Sequence, residues 1–306
     1  MPNRQEHQRE VLAFLQKRLS SHDWKFSLPR GWGKESYFAQ GNGQRYFVKV
    51  GVHAERYLAM AEIGLTPPIL LHGQLENGYS IIVQPFVPGQ RPSRSDYRNR
   101  LIEVAELIRT MHHSPQIQGV LPAVSSATYQ EAGLGALDRL RQKWERYKTQ
   151  VPTVAGFVDD GLEHLTHQVN LFTGAGLVAS HGDICNANWL FAPDGRIYLI
   201  DFDLMKMDDP ALDMGALLWW YYPPGLREAF LDAAGYRYDD EFKFRMQVRM
   251  AMHCLDIALP RENSFDQFTP ATFAEWLTDF RAVLEGKEKS GALSPTCNFA
   301  IFNKLH

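Results

Sequence analysis

Between Ser180 and Asp203 the chain sets acids and amides at a spacing that could do chemistry. Ser180-His181-Gly182-Asp183-Ile184-Cys185-Asn186-Ala187-Asn188 gives the pattern H-x-D-x-x-x-x-N, and Ile200-Asp201-Phe202-Asp203 follows. Between them Trp189-Leu190-Phe191 and Ile197-Tyr198-Leu199-Ile200 flank Pro-Asp-Gly, a strong turn signal, so this stretch reads as a β-hairpin. Phosphoryl transfer needs a group that orients an acceptor hydroxyl and oxygen ligands for a Mg²⁺ ion that bridges and neutralises phosphates. One Asp can face the acceptor while an Asn and a second Asp hold the metal. The hairpin matters because it would bring Asn188 and Asp201 to adjacent strand ends, where each could offer oxygen to one ion. The competing reading is a surface turn capped by Asp and Asn; spacing, hairpin and second acid together favour the chemistry.

The elements that must position these residues fall into two blocks. Val11, Leu12, Leu15 and Leu19 share a helical face. Gly31, Gly33, Gly41 and Gly43 punctuate two strand-like runs, Ser36–Ala39 and Tyr46–Val50, which predict a hairpin or meander. A helix pattern from His53 to Ile63 closes at Gly64, and Pro67-Pro68 forces an extended exit. Ile69–His72 and Tyr79–Gln84 read as two further strands before Pro85, Pro88 and Gly89 break the pattern. The rest is mainly helical: Asp96 to His112, Leu137 to Lys148, Phe157 to Phe172, and the chain from Asp213 to about Leu284. The expected architecture is α+β and bilobal. Residues 1–88 form a small β-rich lobe and residues 89–306 a larger helical lobe holding the hairpin, with the cleft between them as the natural ligand site.

Composition narrows the classes of function. The 306 residues are 45% hydrophobic and 22% charged, ordinary for a globular protein, and the formal charge of -3 gives no basic footprint for nucleic acid or a membrane surface. No stretch approaches the length of a spanning helix, and MPNRQEHQRE lacks the apolar core of a signal peptide. Cys185, Cys254 and Cys297 lie far apart and fit neither a disulfide framework nor a C-x-x-C metal site, so a reducing compartment, the cytoplasm, is expected.

The Asp183 segment with its hairpin and second acid resembles the aminoglycoside phosphotransferase and choline kinase superfamily, a branch of the protein-kinase-like fold. The resemblance runs in order along most of the chain. It implies Asp183 as catalytic base, Asn188 and Asp201 as Mg²⁺ ligands, and His181 as a brace for the catalytic loop. Asp203 would touch a second Mg²⁺ or be a hydrogen-bonded loop acid. Lys49, on one strand face with Phe47, would contact the α- and β-phosphates of ATP or GTP and pair with a helix glutamate, Glu55 before Glu62. Gly31, Gly33 and Ser36 occupy the place of a phosphate-covering loop, where glycine lets amides approach phosphate closely. Pro85 has no N–H, so the Gln84 carbonyl and Val87 amide are the expected contacts for the base, with Leu190 and Ile200 as apolar walls.

Gly182 where protein kinases usually have Arg, Asp203 where they have Gly, and no A-P-E segment after Asp201 favour the small-molecule branch. The acceptor would be a hydroxyl of an aminoglycoside, an amino alcohol or a sugar. Asp159, Asp160 and Glu163 are candidates to meet a cationic one. Asp208, Asp209, Pro210 and Asp213 resemble the family's D-P-x-x-D element, in which Asp213 orients the catalytic loop. Trp219-Trp220-Tyr221-Tyr222 invites a cation cage, but at helical spacing these rings do not all face one cavity, and core packing is the simpler expectation. His112-His113 has no acid or Cys nearby in sequence, so it is poor metal evidence. A protein kinase and a nucleotide-binding scaffold without turnover are the competing functions.

Overall fold

The computed structural model describes residues 4–19, 23–27, 36–41, 43–260 and 270–289. The chain runs α1 (Arg4–Leu19), β1 (Lys25–Ser27), β2 (Ser36–Gly41), β3 (Gln44–Val50), α2 (Ala54–Glu62), β4 (Leu71–Gln74) and β5 (Ser80–Pro85). It continues through α3 (Arg94–Asn99), α4 (Leu101–His113), α5 (Pro115–Val120), α6 (Tyr129–Tyr147), α7 (Pro152–Val169) and β6 (Val178–Ser180). Then come β7 (Trp189–Phe191), β8 (Ile197–Leu199), β9 (Lys206–Asp208), α8 (Ala211–Tyr221), α9 (Pro224–Ala233), α10 (Asp240–Ala258) and α11 (Pro270–Leu284). Among the described residues no helix is long and apolar enough to cross a membrane.

Two compact units emerge, and they are not separated by one cut. The first takes the chain up to Gln90 and also Leu190–Asp203; the second takes Arg91–Trp189 and the described chain from Leu204 onward. The hairpin strands β7 and β8, expected with the helical block, therefore belong largely to the first unit.

The first unit is built on an antiparallel sheet of order β1-β2-β3-β5-β4. Alternation sorts its residues onto two faces. Tyr37, Ala39, Tyr46, Val48, Val50, Ile81 and Val83 pack with Val11 and Leu15 of α1 as one core. The register Ser36↔Lys49, Phe38↔Phe47 and Phe47↔Gln84 puts these residues together on the opposite face. One hydrophobic face thus fixes the register, and the register fixes what stands beside Lys49.

The second unit is mainly helical. α8 is buried almost all round, which its run of apolar residues predicts for a central helix. It packs on α10, and a Cβ at Gly215 would lie 2.6 Å from the Met246 carbonyl, so glycine permits the close approach. Two differences from the sequence reading have local causes. The helix expected from Asp96 to His112 is broken at Arg100 (φ -118°), and α3 starts earlier because Ser93 and Asp96 form a capping box. The strands β1, β6 and β9, three residues each, are too short to leave a periodic signal.

Candidate active site

In the first unit the Lys49 amine has three partners. It donates to the Tyr57 hydroxyl at 2.7 Å, to Asp201 Oδ1 at 2.9 Å and to Asp203 Oδ2 at 3.3 Å. The lysine side chain is 6% exposed, Asp203 12% and Asp201 47%, so the ammonium is shielded while one acid remains open to solvent. Burial disfavours the charged lysine, but Tyr57, Asp201 and Asp203 outweigh it and hold its pKa above the ordinary value. Burial also pushes the Tyr57 phenol up, with Lys49 opposing.

Asp201 is the one non-glycine residue with positive φ (69°) among the described residues. Such a conformation costs about 1–2 kcal/mol. Lys49 holds its carboxylate, and Arg56 Nη1 donates to the carbonyls of Phe202 (3.1 Å) and Asp203 (3.0 Å) just beyond it.

The helix glutamate expected opposite Lys49 is not there. α2 buries Arg56, Tyr57, Ala59 and Met60, the i, i+3, i+4 stripe of an amphipathic helix. Glu55 and Glu62, seven residues apart, lie off that stripe and are exposed. Glu55 lies 3.7 Å from the His53 ring, and the Lys49 amine meets Tyr57 in place of the expected glutamate.

The second unit holds Asp183 through the backbone around it. Asp213, fully buried at the start of α8, accepts from the amides of His181 (2.7 Å) and Gly182 (3.0 Å). His112 Nε2 lies 3.0 Å from the same carboxylate, and its Nδ1 lies 2.6 Å from the Tyr236 hydroxyl. In the neutral tautomer that satisfies both contacts, Nε2 donates to Asp213 and Nδ1 accepts from Tyr236. Burial works against the Asp213 charge, but His112 and the His181 amide outweigh it and bring the carboxyl down to about 2.

Around Asp183 itself, the amide donates to His181 Nδ1 at 3.3 Å and the carbonyl accepts from Asn188 Nδ2 at 2.7 Å. Tyr221 Oη accepts from the Asn186 amide at 2.9 Å. Gly182 has φ 76°, and a Cβ there would sit 2.8 Å from the Leu204 carbonyl, which is why the arginine of protein kinases has no place here. Asp209 caps α8 through the Ala211 amide at 2.9 Å, and buried Asp208 pairs with Arg249 at 2.7 Å.

The remaining expected residues distribute as follows. Ser36 lies directly across from Lys49. Gly31 and Gly33 lie outside the described residues. Leu190 and Ile200 are half-buried, and Leu190 packs on Gly89.

Gln84 requires a correction. Phe86 N–H donates to the Arg45 carbonyl at 2.9 Å, which sets the alternation of β3 with β5 and turns the Gln84 carbonyl toward the Phe47 amide. The Gln84 side chain donates to the Pro67 carbonyl. By the same alternation the Pro85 carbonyl points away from β3, on the side where β4 pairs no further than Leu71↔Val83. The Gln84 carbonyl is therefore engaged within the sheet, while Pro85 and Val87 are half-buried at its edge.

Trp220, Tyr221 and Tyr222 are core, Tyr221 stacking on Tyr97 at 4.6 Å, so no cation cage forms from this run. Asp159 is engaged by Lys148 at 2.8 Å and by the Trp144 indole at 2.9 Å. Among the described residues no group of three or more His, Cys, Asp or Glu gathers as a metal centre. Arg56, Tyr57, His112 and Tyr221 are the site residues that sequence reasoning missed. Nothing local marks His112 as a partner of Asp213, and the short α2 does not by itself say which of its side chains meets Lys49.

Residues 27–246 match the sequence profile of the phosphotransferase enzyme family. Among solved structures the chain is similar to aminoglycoside 2'-phosphotransferase-IIIa in its GDP complex, with 13% identity, a TM-score of 0.66 and coverage of 93% of this chain and 99% of that one. It is also similar to a choline/ethanolamine kinase family protein from Mesorhizobium loti (17% identity, TM-score 0.66, 92% and 95% covered). A third is choline kinase LicA from Streptococcus pneumoniae (16%, TM-score 0.60, 92% and 98%). These likenesses give the fold class: α+β of the protein-kinase-like kind, with a β-rich first unit and a helical second.

Proposed function

Because this chain belongs to the phosphotransferase enzyme family, we propose that it is a small-molecule kinase that moves the γ-phosphoryl group of ATP or GTP to a hydroxyl of an aminoglycoside, an amino alcohol or a sugar. The observation that carries this reading is Lys49 Nζ at 2.9 Å from Asp201, a strand lysine brought to the acid that follows the hairpin. Lys49 would contact the α- and β-phosphates, with Ser36 beside it. The Pro85 carbonyl and Val87 amide would meet the base, and Leu190, Ile200, Phe38 and Phe47 would offer it apolar surface.

Oxygen donors from Asn188 and Asp201, with Asp203 as a further acid, fit Mg²⁺. The Asn188 amide nitrogen is spent on the Asp183 carbonyl, so its oxygen is the atom left for a cation. Mg²⁺ commonly arrives with the nucleotide and is completed by phosphate oxygens and water. When bound, the ion would neutralise charge on the phosphates. Asp183 would accept a hydrogen bond from the acceptor hydroxyl, align its oxygen with the γ-phosphorus, and take the proton as the new O–P bond forms and the nucleotide diphosphate leaves. Lys49 would offset the negative charge left on the diphosphate. Positioning and electrostatics would supply most of the rate.

Thermal-shift titration with ATP and GTP, with and without Mg²⁺, tests the reading, since binding raises apparent stability by mass action. A Mg²⁺-dependent rise lost in Asp201→Ala, followed by turnover in a screen of the three acceptor classes, is the expected result. Binding without turnover on any acceptor would point to a scaffold, and no shift at millimolar nucleotide would overturn the reading.

A further inference from the structure

The contacts of Lys49 differ from those expected of a kinase lysine in two places at once. The helix position that faces it carries a phenol, and the loop beyond Asp201 carries an extra acid where protein kinases have glycine. We propose that Tyr57 and Asp203 divide the task of a helix glutamate: Tyr57 positions the Lys49 amine by a hydrogen bond, and Asp203 balances its charge. This rests on the reading of Lys49 as a phosphate contact.

The geometry supports each half. Tyr57 Oη is 2.7 Å from Lys49 Nζ, and the Tyr57 ring packs edge-on against Phe202 at 4.9 Å. The preceding residue, Arg56, donates to the carbonyls of Phe202 and Asp203. Two consecutive side chains of α2 are thus tied to the Asp201–Asp203 turn, which fixes the hydroxyl relative to the lysine and both acids. Asp203 Oδ2 lies 3.3 Å from the amine and is largely shielded from water, so its charge acts on Lys49 with little screening.

Charge counting explains why the two changes belong together. A lysine with a helix glutamate and one loop acid carries a net charge of about -1 before phosphate binds. Lys49 with Asp201, Asp203 and a neutral Tyr57 carries the same balance. A glutamate at 57 beside Asp203 would add another negative charge to a site that must admit a polyanion. The phenol keeps the hydrogen bond and leaves out that charge.

The full-length protein tests this by calorimetric titration with whichever of ATP and GTP the wild type binds. Tyr57→Phe keeps the ring against Phe202 and removes only the hydroxyl. It should weaken nucleotide binding by about tenfold, the usual scale for a hydrogen bond to a charged group. In a Lys49→Met background the same change should have no further effect, because Tyr57 acts through Lys49. Asp203→Asn should tighten nucleotide binding in the absence of Mg²⁺, since it removes a charge that opposes phosphate. An unchanged affinity in Tyr57→Phe, an equal loss in the Lys49→Met background, or metal-free binding that is unmoved or weaker in Asp203→Asn would each overturn the proposal. If Lys49→Met weakens binding while Tyr57→Phe does not, the kinase reading stands and this inference alone falls. A wild type that binds neither nucleotide overturns both.

Discussion

The two units hold their functional acids by different physics. In the second, Asp183 is set by its backbone: His181, Gly182, Asn186 and Asn188 tie the loop to Asp213, to Tyr221 and back onto itself. In the first, Asp201 is set by side-chain charge, with Lys49 on its carboxylate and Arg56 on the carbonyls after it. A backbone clamp fixes where a carboxylate stands through main-chain hydrogen bonds and needs no charge partner to do so. An ion-pair cluster already engages its lysine before any ligand arrives and would have to share it if phosphates entered. The Asp183 loop is therefore held by a backbone support, and Asp201 by an ion-pair cluster around Lys49.

The comparison breaks most visibly at Asp183. If the clamp serves only to present this carboxylate, Asp183→Ala should cut turnover by about 10³-fold, within the range for a positioned general base. Nucleotide affinity should stay within about twofold, because the Lys49 cluster does not depend on that side chain. Turnover measured with the active acceptor, beside calorimetric nucleotide binding, checks both halves. Wild-type-like turnover would remove Asp183 from the chemistry.

The clamp can be strained directly. Gly182→Ala forces an alanine into φ 76° and places its Cβ 2.8 Å from the Leu204 carbonyl. Equilibrium urea unfolding should show a loss of about 2–3 kcal/mol, the combined scale of left-handed strain and overpacking. A variant as stable as wild type would mean that the loop relaxes freely and is no rigid support.

The buried Asp213 makes the clamp sensitive to acid. Its folded-state carboxyl lies at about 2, below an ordinary value of 3.8. A carboxyl depressed on folding contributes stability that is present above its unfolded pKa and lost as pH falls through the folded one. The contribution is about 2 kcal/mol and should drain away between about pH 5 and pH 2. The stability gap between wild type and Asp213→Asn should shrink by that amount over this window in urea unfolding, and a constant gap would show that folding does not depress the Asp213 carboxyl.

What the sequence made legible follows from where each signal lies. The segment from His181 to Asp203 was readable because its spacing, its hairpin and its acids sit within one short stretch. Asp213 was readable because a proline and a second acid precede it at fixed intervals. The sheet face shared by Phe47 and Lys49 followed from alternation, which the hydrophobic core enforces. Three things were not readable. Which carbonyl of β5 points away from β3 depends on which of its residues bond to β3, and a one-residue step in that alternation separates Pro85 from Gln84. His112 meets Asp213 only through tertiary packing. The partner of Lys49 turns on which side of α2 faces inward, a rotation that one helical turn of sequence does not settle.

Glu55 gives the smallest expected effect and the sharpest check on that rotation. It is 56% exposed, it lies 3.7 Å from the His53 ring, and the buried stripe of α2 passes it by. An exposed pair of this kind contributes roughly 0–1 kcal/mol. Glu55→Gln should therefore change nucleotide affinity by less than about twofold and stability by no more than about 0.5 kcal/mol. Calorimetry and urea unfolding on the same preparation read both. A tenfold loss of nucleotide affinity in Glu55→Gln would mean that α2 turns to bring the carboxylate onto Lys49 when nucleotide binds. The ion-pair account of the first unit would then give way to a conventional lysine–glutamate pair, formed only in the bound state.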